Sequence, residues 1–314
     1  MKEHTSSVII VIIAGLIWSF GAVVVKNMTD PQSYQLPYLI IRGLTVAMIV
    51  GSYLFFKDRK YFFINLLNID KITIFGGILL TITFIGFIYS ITNTTAAVTL
   101  LMLALMPFFA SLIAYLFINE RISKKNLVAM IIAFFGIVIM VLQSQLSGST
   151  FGLITGFISS LGFAGFTVAL RSKNNNEKFY ILIIGGLLCS LICSIILIIM
   201  NFSIEIPINN ILLSITHGLL VACGLILYSI GSKKLLSGEL SLLSLLEVVG
   251  GIFWAWLPFM NVNEIPDFYT MLGGLIICIS IIINSTNIEI IFFQKKNLID
   301  MQATPIKVKI IPIF

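Results

Sequence analysis

The chain alternates ten apolar runs with short polar breaks, and no other feature restricts its folding as strongly. Each run is about 20 residues, the length of helix that crosses ~30 Å of hydrocarbon. In the first half the runs are Ser7–Val25, Pro37–Phe56, Ile72–Ile91, Thr95–Ile118 and Asn126–Leu142. In the second they are Phe151–Leu170, Tyr180–Met200, Asn210–Ile230, Ser237–Phe259 and Phe268–Ile288. Inside a bilayer every backbone N–H and C=O must find a partner within the protein, which leaves helices or a closed barrel. Barrel strands are ~10 residues with period-two alternation. These runs are longer and do not alternate, so an all-α membrane protein with ten transmembrane helices is expected. Only 10% of residues are charged and the mean hydropathy is +1.09. A soluble domain carries about a quarter charged residues, and that class is excluded.

Basic residues orient the bundle. They fall in alternate breaks: Lys57, Arg59, Lys60 and Lys71; Arg121, Lys124 and Lys125; Arg171, Lys173 and Lys178; Lys233 and Lys234. The ends add Lys2, Lys295, Lys296, Lys307 and Lys309, so 17 of the 19 basic residues lie on one side. Only Lys26, closing the first run, and Arg42, inside the second, depart from this rule. Basic loops stay cytoplasmic, so both termini are expected inside. The pI near 9.1 follows from that bias and is no argument for a nucleic-acid partner. The first run has a weak basic start and ends in Lys26 rather than a small-residue cleavage site, so it reads as a span and not a signal peptide. Cys189, Cys193, Cys223 and Cys278 all lie in apolar runs, where packing is the better reading than a disulfide. Lys over Arg and abundant Ile suit an AT-rich bacterial genome, hence a bacterial inner membrane. The tail from Glu289 to Phe314 mixes basic and apolar residues and suits the inner leaflet or disorder equally.

An internal repeat divides the chain. Gly15, Ser19 and Gly21 surround Trp18 in the first run; Gly156, Ser160 and Gly162 recur at the same spacing in the sixth. Pro107 to Glu120 in the fourth run answers Val248 to Glu264 in the ninth, and Ala129 answers Gly273. Three regions result: 7–142, 151–288 and the tail 289–314. Five spans is an odd number, so the second half must insert in the opposite sense. Two inverted-topology repeats of five helices are expected, an arrangement common among secondary transporters.

The run Ala14-Gly-Leu-Ile-Trp-Ser-Phe-Gly-Ala-Val-Val-Val-Lys26 resembles the opening helix of EamA-type members of the drug/metabolite transporter superfamily, as does Arg42 early in the second span. Leu105 to Ser123, with Pro107, Glu120 and Arg121, resembles that family's Pro-to-Glu helix and the Glu-Arg turn after it. Gly162-Phe-Ala-Gly-Phe166 and Leu245-Leu-Glu247 resemble its second repeat, so the likeness runs from about residue 7 to 288. It implies a ten-helix carrier of small organic solutes, with helices 5 and 10 peripheral. The family often has Glu-Pro in the ninth span, where this chain has Glu247-Val248. The gap from there to Glu264 is also longer than usual. The ninth helix is therefore expected to run straighter, with its break moved to Pro258.

Glu247 is the sharpest single signal. It lies about ten residues into its span, so at 1.5 Å per residue it is ~15 Å deep. A carboxylate at that depth must face protein or a wet cavity. Its counterpart in the first half is Met106, so the charge is not a shared folding requirement. It reads as a binder of a cationic group or as the carrier of an exchanged proton, with a structural carboxyl as the alternative. Arg42 suits a substrate carboxylate or phosphate; snorkelling to the headgroups or an outer ion pair are its alternatives. Lys26 reads as a gate residue or an anchor.

Helical faces extend the candidate set. Gly15, Ser19, Ala22 and Lys26 share a face of the first span; Gly86, Tyr89 and Asn93 of the third; Thr95, Thr99, Met102, Met106 and Ala110 of the fourth. His217, Gly224 and Tyr228 share one in the eighth, and Glu247, Gly251, Trp254 and Pro258 in the ninth. Small residues alone mark a packing seam; Tyr, Asn, His or Trp at mid-depth point to a cavity. Trp18 and Trp254 suit stacking on a planar or cationic solute, although Trp254 and Trp256 also fit an interfacial belt. His217 reads as a proton relay or as a satisfied structural histidine. Pro107 kinks the fourth helix. Glu120 and Glu264 border loops and read as structural.

The chain has neither a phosphate-binding Gly-rich loop nor a His/Cys cluster, so no cofactor, ATP or metal is expected. A secondary carrier is the leading function, acting as a monomer or homodimer in the bilayer. An amino acid, an amine or a nucleoside- or vitamin-like compound is the expected solute. A membrane enzyme needs clustered acids or histidines at one face, and a passive channel needs polar residues repeated along a pore. Neither pattern is present, and no enzyme activity is expected.

Overall fold

The computed structural model describes residues 2–143, 149–173, 176–201 and 205–285. The expected tail 289–314 and the last residues of the tenth run lie outside them. The first span is built from α1 (Lys2–Trp18) and α2 (Gly21–Lys26). It is followed by α3 (Gln35–Lys57), a short α4 (Phe62–Leu67) and α5 (Lys71–Asn93). The fourth span is α6 (Ala96–Leu103) plus α7 (Met106–Ile118), and the fifth run folds as α8 (Lys124–Gln143). Then come α9 (Thr150–Arg171), α10 (Glu177–Ile199) and α11 (Ile208–Gly231). The ninth span is α12 (Ser237–Ser244) plus α13 (Leu246–Trp256), closed by a 3-10 turn at Pro258–Met260, and α14 is Phe268–Ser285. Among the described residues, eight helical stretches are long and apolar enough to cross a membrane. They are Glu3–Lys26, Gln35–Lys57, Lys71–Asn93, Ala96–Ile118, Thr150–Arg171, Glu177–Ile199, Ile208–Gly231 and Ser237–Trp256. The fifth and tenth runs are helical but fall outside that set, so the fold is all-helical with eight candidate spans.

Local chemistry starts the helices. Asp70 caps α5 by accepting from the Thr73 N–H at 3.1 Å, Thr95 caps α6 through Val98 at 3.2 Å, and Ser149 caps α9 through Gly152 at 3.1 Å. Each satisfies a backbone donor that the first turn cannot pair. Burial alone would raise the Asp70 carboxyl, but the Lys173 ammonium and the Thr73 side-chain and backbone donors hold it down at about 2.

Three spans are interrupted: the first at Ser19–Phe20, the fourth at Ala104–Leu105 and the ninth at Leu245. The fourth breaks just ahead of Pro107, the second residue of α7, whose ring and missing N–H oppose an uninterrupted helix. The ninth corrects an expectation. Its break is not displaced to Pro258 but lies at Leu245, two residues before Glu247. Proline is not needed there because Ser241 and Ser244 turn their hydroxyls onto the Ser237 and Ser241 carbonyls at 3.0 and 2.7 Å. Such bonds compete with the helix ladder and bend it. Pro258 instead ends the span, leading the 3-10 turn.

Packing is reciprocal between the halves. α5 lies along α9 as α1 lies along α11, and α5 touches α10 as α3 touches α11. α3 packs on α10, α7 on α12 and α8 on α14. The α3–α10 crossing brings backbone against backbone: a Cβ at Gly43 would come within 2.7 Å of the Gly186 carbonyl, and one at Gly186 within 2.6 Å of the Gly43 carbonyl. α8 and α14 form an outlying pair whose outer faces carry exposed apolar residues such as Phe135 and Leu275.

Candidate functional site

The broken spans meet at a small central chamber, with about 50 Å³ open to the centre of a water molecule. The breaks supply part of its wall. Trp18 is the last residue of α1, Leu103 and Met106 flank the α6–α7 interruption, and Glu247 lies in the first turn of α13. The breaks are tight turns that stay hydrogen-bonded along the chain, Leu105 donating to the Met102 carbonyl at 3.3 Å and Leu245 to the Leu242 carbonyl at 3.2 Å, so each bends its span without opening it. Arg42 enters from α3, His217 from α11, and Thr83, Phe84 and Phe87 from α5. Ser159 and Phe163 of α9, with Val221 and Leu225 of α11, complete the wall.

Arg42 and Glu247 are the two opposite charges on this wall. Arg42 is only 3% exposed, and its guanidinium lies 4.4 Å from the centre of the Phe84 ring. Its Nε and Nη1 are buried without a hydrogen-bond partner among the described residues. That burial does not fit snorkelling to the headgroups. No ion pair within 4.0 Å joins Arg42 to Glu247 among the described residues, so the two charges line one chamber without neutralising each other directly. His217 is 2% exposed; its Nδ1 lies 3.0 Å from the Tyr38 hydroxyl and its ring meets the edge of Phe87. Trp18 donates from Nε1 to the Val221 carbonyl at 3.3 Å and stands edge-on to Phe163. Gly224 makes room for it, since a Cβ there would lie 2.1 Å from Trp18 Nε1.

Of the sequence candidates, Glu247, Arg42, Trp18, Met106 and His217 are brought together in this chamber. Tyr228 lies behind it, fully buried, with its hydroxyl 2.9 Å from Thr167 and its ring against Trp18. Ser19, Gly251 and Trp254 form a packed knot beside it. Trp254 donates to Ser19 Oγ at 2.8 Å and stacks on Phe20 at 4.5 Å, and a Cβ at Gly251 would press on Leu100. Trp254 thus holds the break of the first span rather than lining the chamber. Lys26 forms an ion pair with Glu264 at 3.2 Å and donates to the Thr94 carbonyl.

Tyr89, Asn93, Thr99 and Met102 do not line the chamber. Thr99 is fully buried between the hydroxyls of Ser90 and Thr94, Asn93 bonds the Tyr89 carbonyl, and Tyr89 meets Phe151 edge-on. Met102 packs where Gly156 approaches. For Tyr89 and Asn93 the reason is the rotation of α5. A Cβ at Gly86 would lie 2.7 Å from the Thr155 carbonyl, so the face with Gly86, Tyr89 and Asn93 is the seam against α9. The chamber receives the Thr83, Phe84 and Phe87 face instead. That face was readable only as an apolar stripe at helical spacing, as was Ser159–Phe163 on α9.

Residues 5–142 match the model of the EamA-like transporter family. The "Pseudopaline exporter CntI" of Pseudomonas aeruginosa strain UCBPP-PA14 is 23% identical over 212 residues, covering 66% of this chain and 72% of its own. The protein of the same name from strain PAO1 matches to the same extent. A solved structure described only as "Crystal structure of protein" superposes with a TM-score of 0.66 at 16% identity, over 88% of this chain and 96% of that one. At that identity the superposition speaks for the fold alone. The family match, the exporter relatives and the eight apolar helices together support a multi-pass membrane transporter.

Proposed function

We propose, from the premise that residues 5–142 belong to the EamA-like transporter family, that the protein is a secondary carrier moving a small organic metabolite across a bacterial inner membrane by alternating access. The observation that carries this reading is Arg42: buried, unpartnered at Nε and Nη1, and set in the same chamber as Glu247. Burying a cation with no hydrogen-bonded anion costs several kcal/mol, so a fold that keeps one there holds it for an anionic partner. The guanidinium fork suits a carboxylate or phosphate, and Glu247 suits an amine. An amino-acid-like zwitterion uses both ends, while Trp18 and Phe84 flank its body. The likeness to the pseudopaline exporters favours export as the direction.

The reciprocal packing of the two halves supports an inverted repeat of five plus five helices, with α8 and α14 as the fifth and tenth spans. Two similar halves that exchange conformations open one shared chamber to each side in turn. Basic breaks on one side support cytoplasmic termini. Glu247 is the proposed proton carrier, facing Arg42 and His217 across the chamber. Purified protein in proteoliposomes, offered a panel of labelled amino acids, amines and nucleosides with and without a pH gradient, tests the reading. Glu247→Gln and Arg42→Gln are each expected to cut transport at least about tenfold, the scale of ~1.4 kcal/mol, without lowering the melting temperature. Transport and pH dependence unchanged in Glu247→Gln would remove that residue from the mechanism.

A further inference from the structure

Two ion-pair clusters repeat each other part for part. In the first, Glu264, between the 3-10 turn and α14, meets the Lys26 ammonium at 3.2 Å and accepts from the Ala96 N–H at 2.9 Å. Ala96 is the first residue of α6. Lys26 also donates to the carbonyl of Thr94, the residue that closes α5, at 2.6 Å. In the second, Glu120, just past α7, accepts from Arg171 Nε at 3.0 Å and Nη2 at 2.9 Å, and from the Ser237 N–H at 2.8 Å. Ser237 is the first residue of α12. Arg171 also donates to the carbonyl of Ser232, which closes α11, at 2.6 Å.

Each cluster therefore gathers three pieces from one half: a cation ending its first span, the cap carbonyl of its third and the leading N–H of its fourth. The carboxylate comes from the other half, just after that half's fourth span. The clusters also sit at opposite ends of the bundle. The first span runs 24 residues from Glu3 to Lys26, ~36 Å at 1.5 Å per residue. Its Lys26 end holds one cluster. Its start is tied to the segment carrying the other, through Glu3–Lys234 at 2.9 Å and His4–Glu239 at 3.1 Å.

We infer that Lys26–Glu264 and Arg171–Glu120 are the two gates of the chamber, one at each membrane face, broken alternately during transport. This rests on the carrier reading above. Each glutamate bridges the halves, so neither mouth widens without withdrawing one carboxylate from a helix N-terminus and a cation. The pairs are only partly buried, with side-chain exposures of 22% and 26% at one end and 18% and 14% at the other. Water can replace each bond as it opens, which keeps the release reversible. Both gates are closed in this structure, in keeping with the small free volume between them.

Single charge removals combined with a reporter cysteine test the inference in membrane vesicles of known orientation. Val221→Cys, in the chamber wall of a full chain with its four native cysteines replaced, is labelled by a membrane-impermeant thiol reagent from either side. Glu264→Gln is expected to raise labelling from the Lys26 side at least about fivefold and not from the other. Glu120→Gln is expected to do the reverse. A short bifunctional thiol reagent joining Lys26→Cys to Glu264→Cys is expected to confine labelling to the opposite face. Shifts in the same direction for both variants, or none in protein that melts like its parent, overturn the inference. No solute enters this assay, so a carrier with unchanged labelling loses only the gates. Correct gating without transport of any solute loses only the carrier reading.

Discussion

Two opposite charges, Arg42 and Glu247, set the chemistry of an otherwise largely apolar chamber. Arg42 and Glu247 were visible in the sequence because charge is rare in apolar runs, whereas Phe84, Phe87 and Phe163 were invisible among so many apolar neighbours. Gly224 shows how one missing Cβ positions a functional ring: its absence lets Trp18 reach the Val221 carbonyl. Gly224→Val is expected to destabilise by about 1–3 kcal/mol, the usual cost of overpacking, read as a lower melting temperature in detergent. At the membrane edge, folding lowers the Asp70 carboxyl from its ordinary 3.8 to about 2. Its bonds to Lys173 and Thr73 therefore stabilise the fold above pH ~4 and fade as pH falls towards 2. Asp70→Asn keeps a helix cap but loses the charge. The melting difference from the parent is expected to be under ~1 kcal/mol near neutral pH, because the carboxylate is well exposed, and to vanish only below pH ~2.

At the scale of elements, the breaks in the first, fourth and ninth spans decide where chemistry sits. Pro107 announced the fourth in the sequence. The ninth was hidden in serine hydroxyls whose effect depends on rotamer rather than residue type. Replacing Ser241 and Ser244 with Ala removes those competing bonds and favours a continuous helix. The double variant is expected to melt no lower than its parent but to transport several-fold more slowly, measured as initial rates in proteoliposomes. The α3–α10 crossing depends on bare backbone at Gly43 and Gly186. Gly186→Leu pushes those helices apart, and its signature is a lower melting temperature with a chamber that labels from both faces.

For the whole molecule, exchange of the halves maps each principal helix pair onto another or onto itself, and the Lys26–Glu264 and Arg171–Glu120 clusters obey the same exchange. The topological consequence is directly measurable. Lys234→Cys and Asn263→Cys are expected to label from opposite faces of intact cells, the former only after the membrane is permeabilised. Labelling of both from one face removes the opposed orientation of the halves.

The sequence by itself determined that the chain is helical and that it belongs in a bilayer, because length and hydropathy act locally and need no neighbour to be read. It also marked Arg42 and Glu247, since a charge in hydrocarbon demands a reason wherever it falls. Only the tertiary structure decided which face of α5 meets the chamber, that Arg42 is buried rather than reaching for headgroups, and that Lys26 and Arg171 each meet a glutamate from the other half. Those outcomes depend on helix rotation and on close approach at a few glycines, where small steric differences between distant segments select one packing from several that composition allows equally.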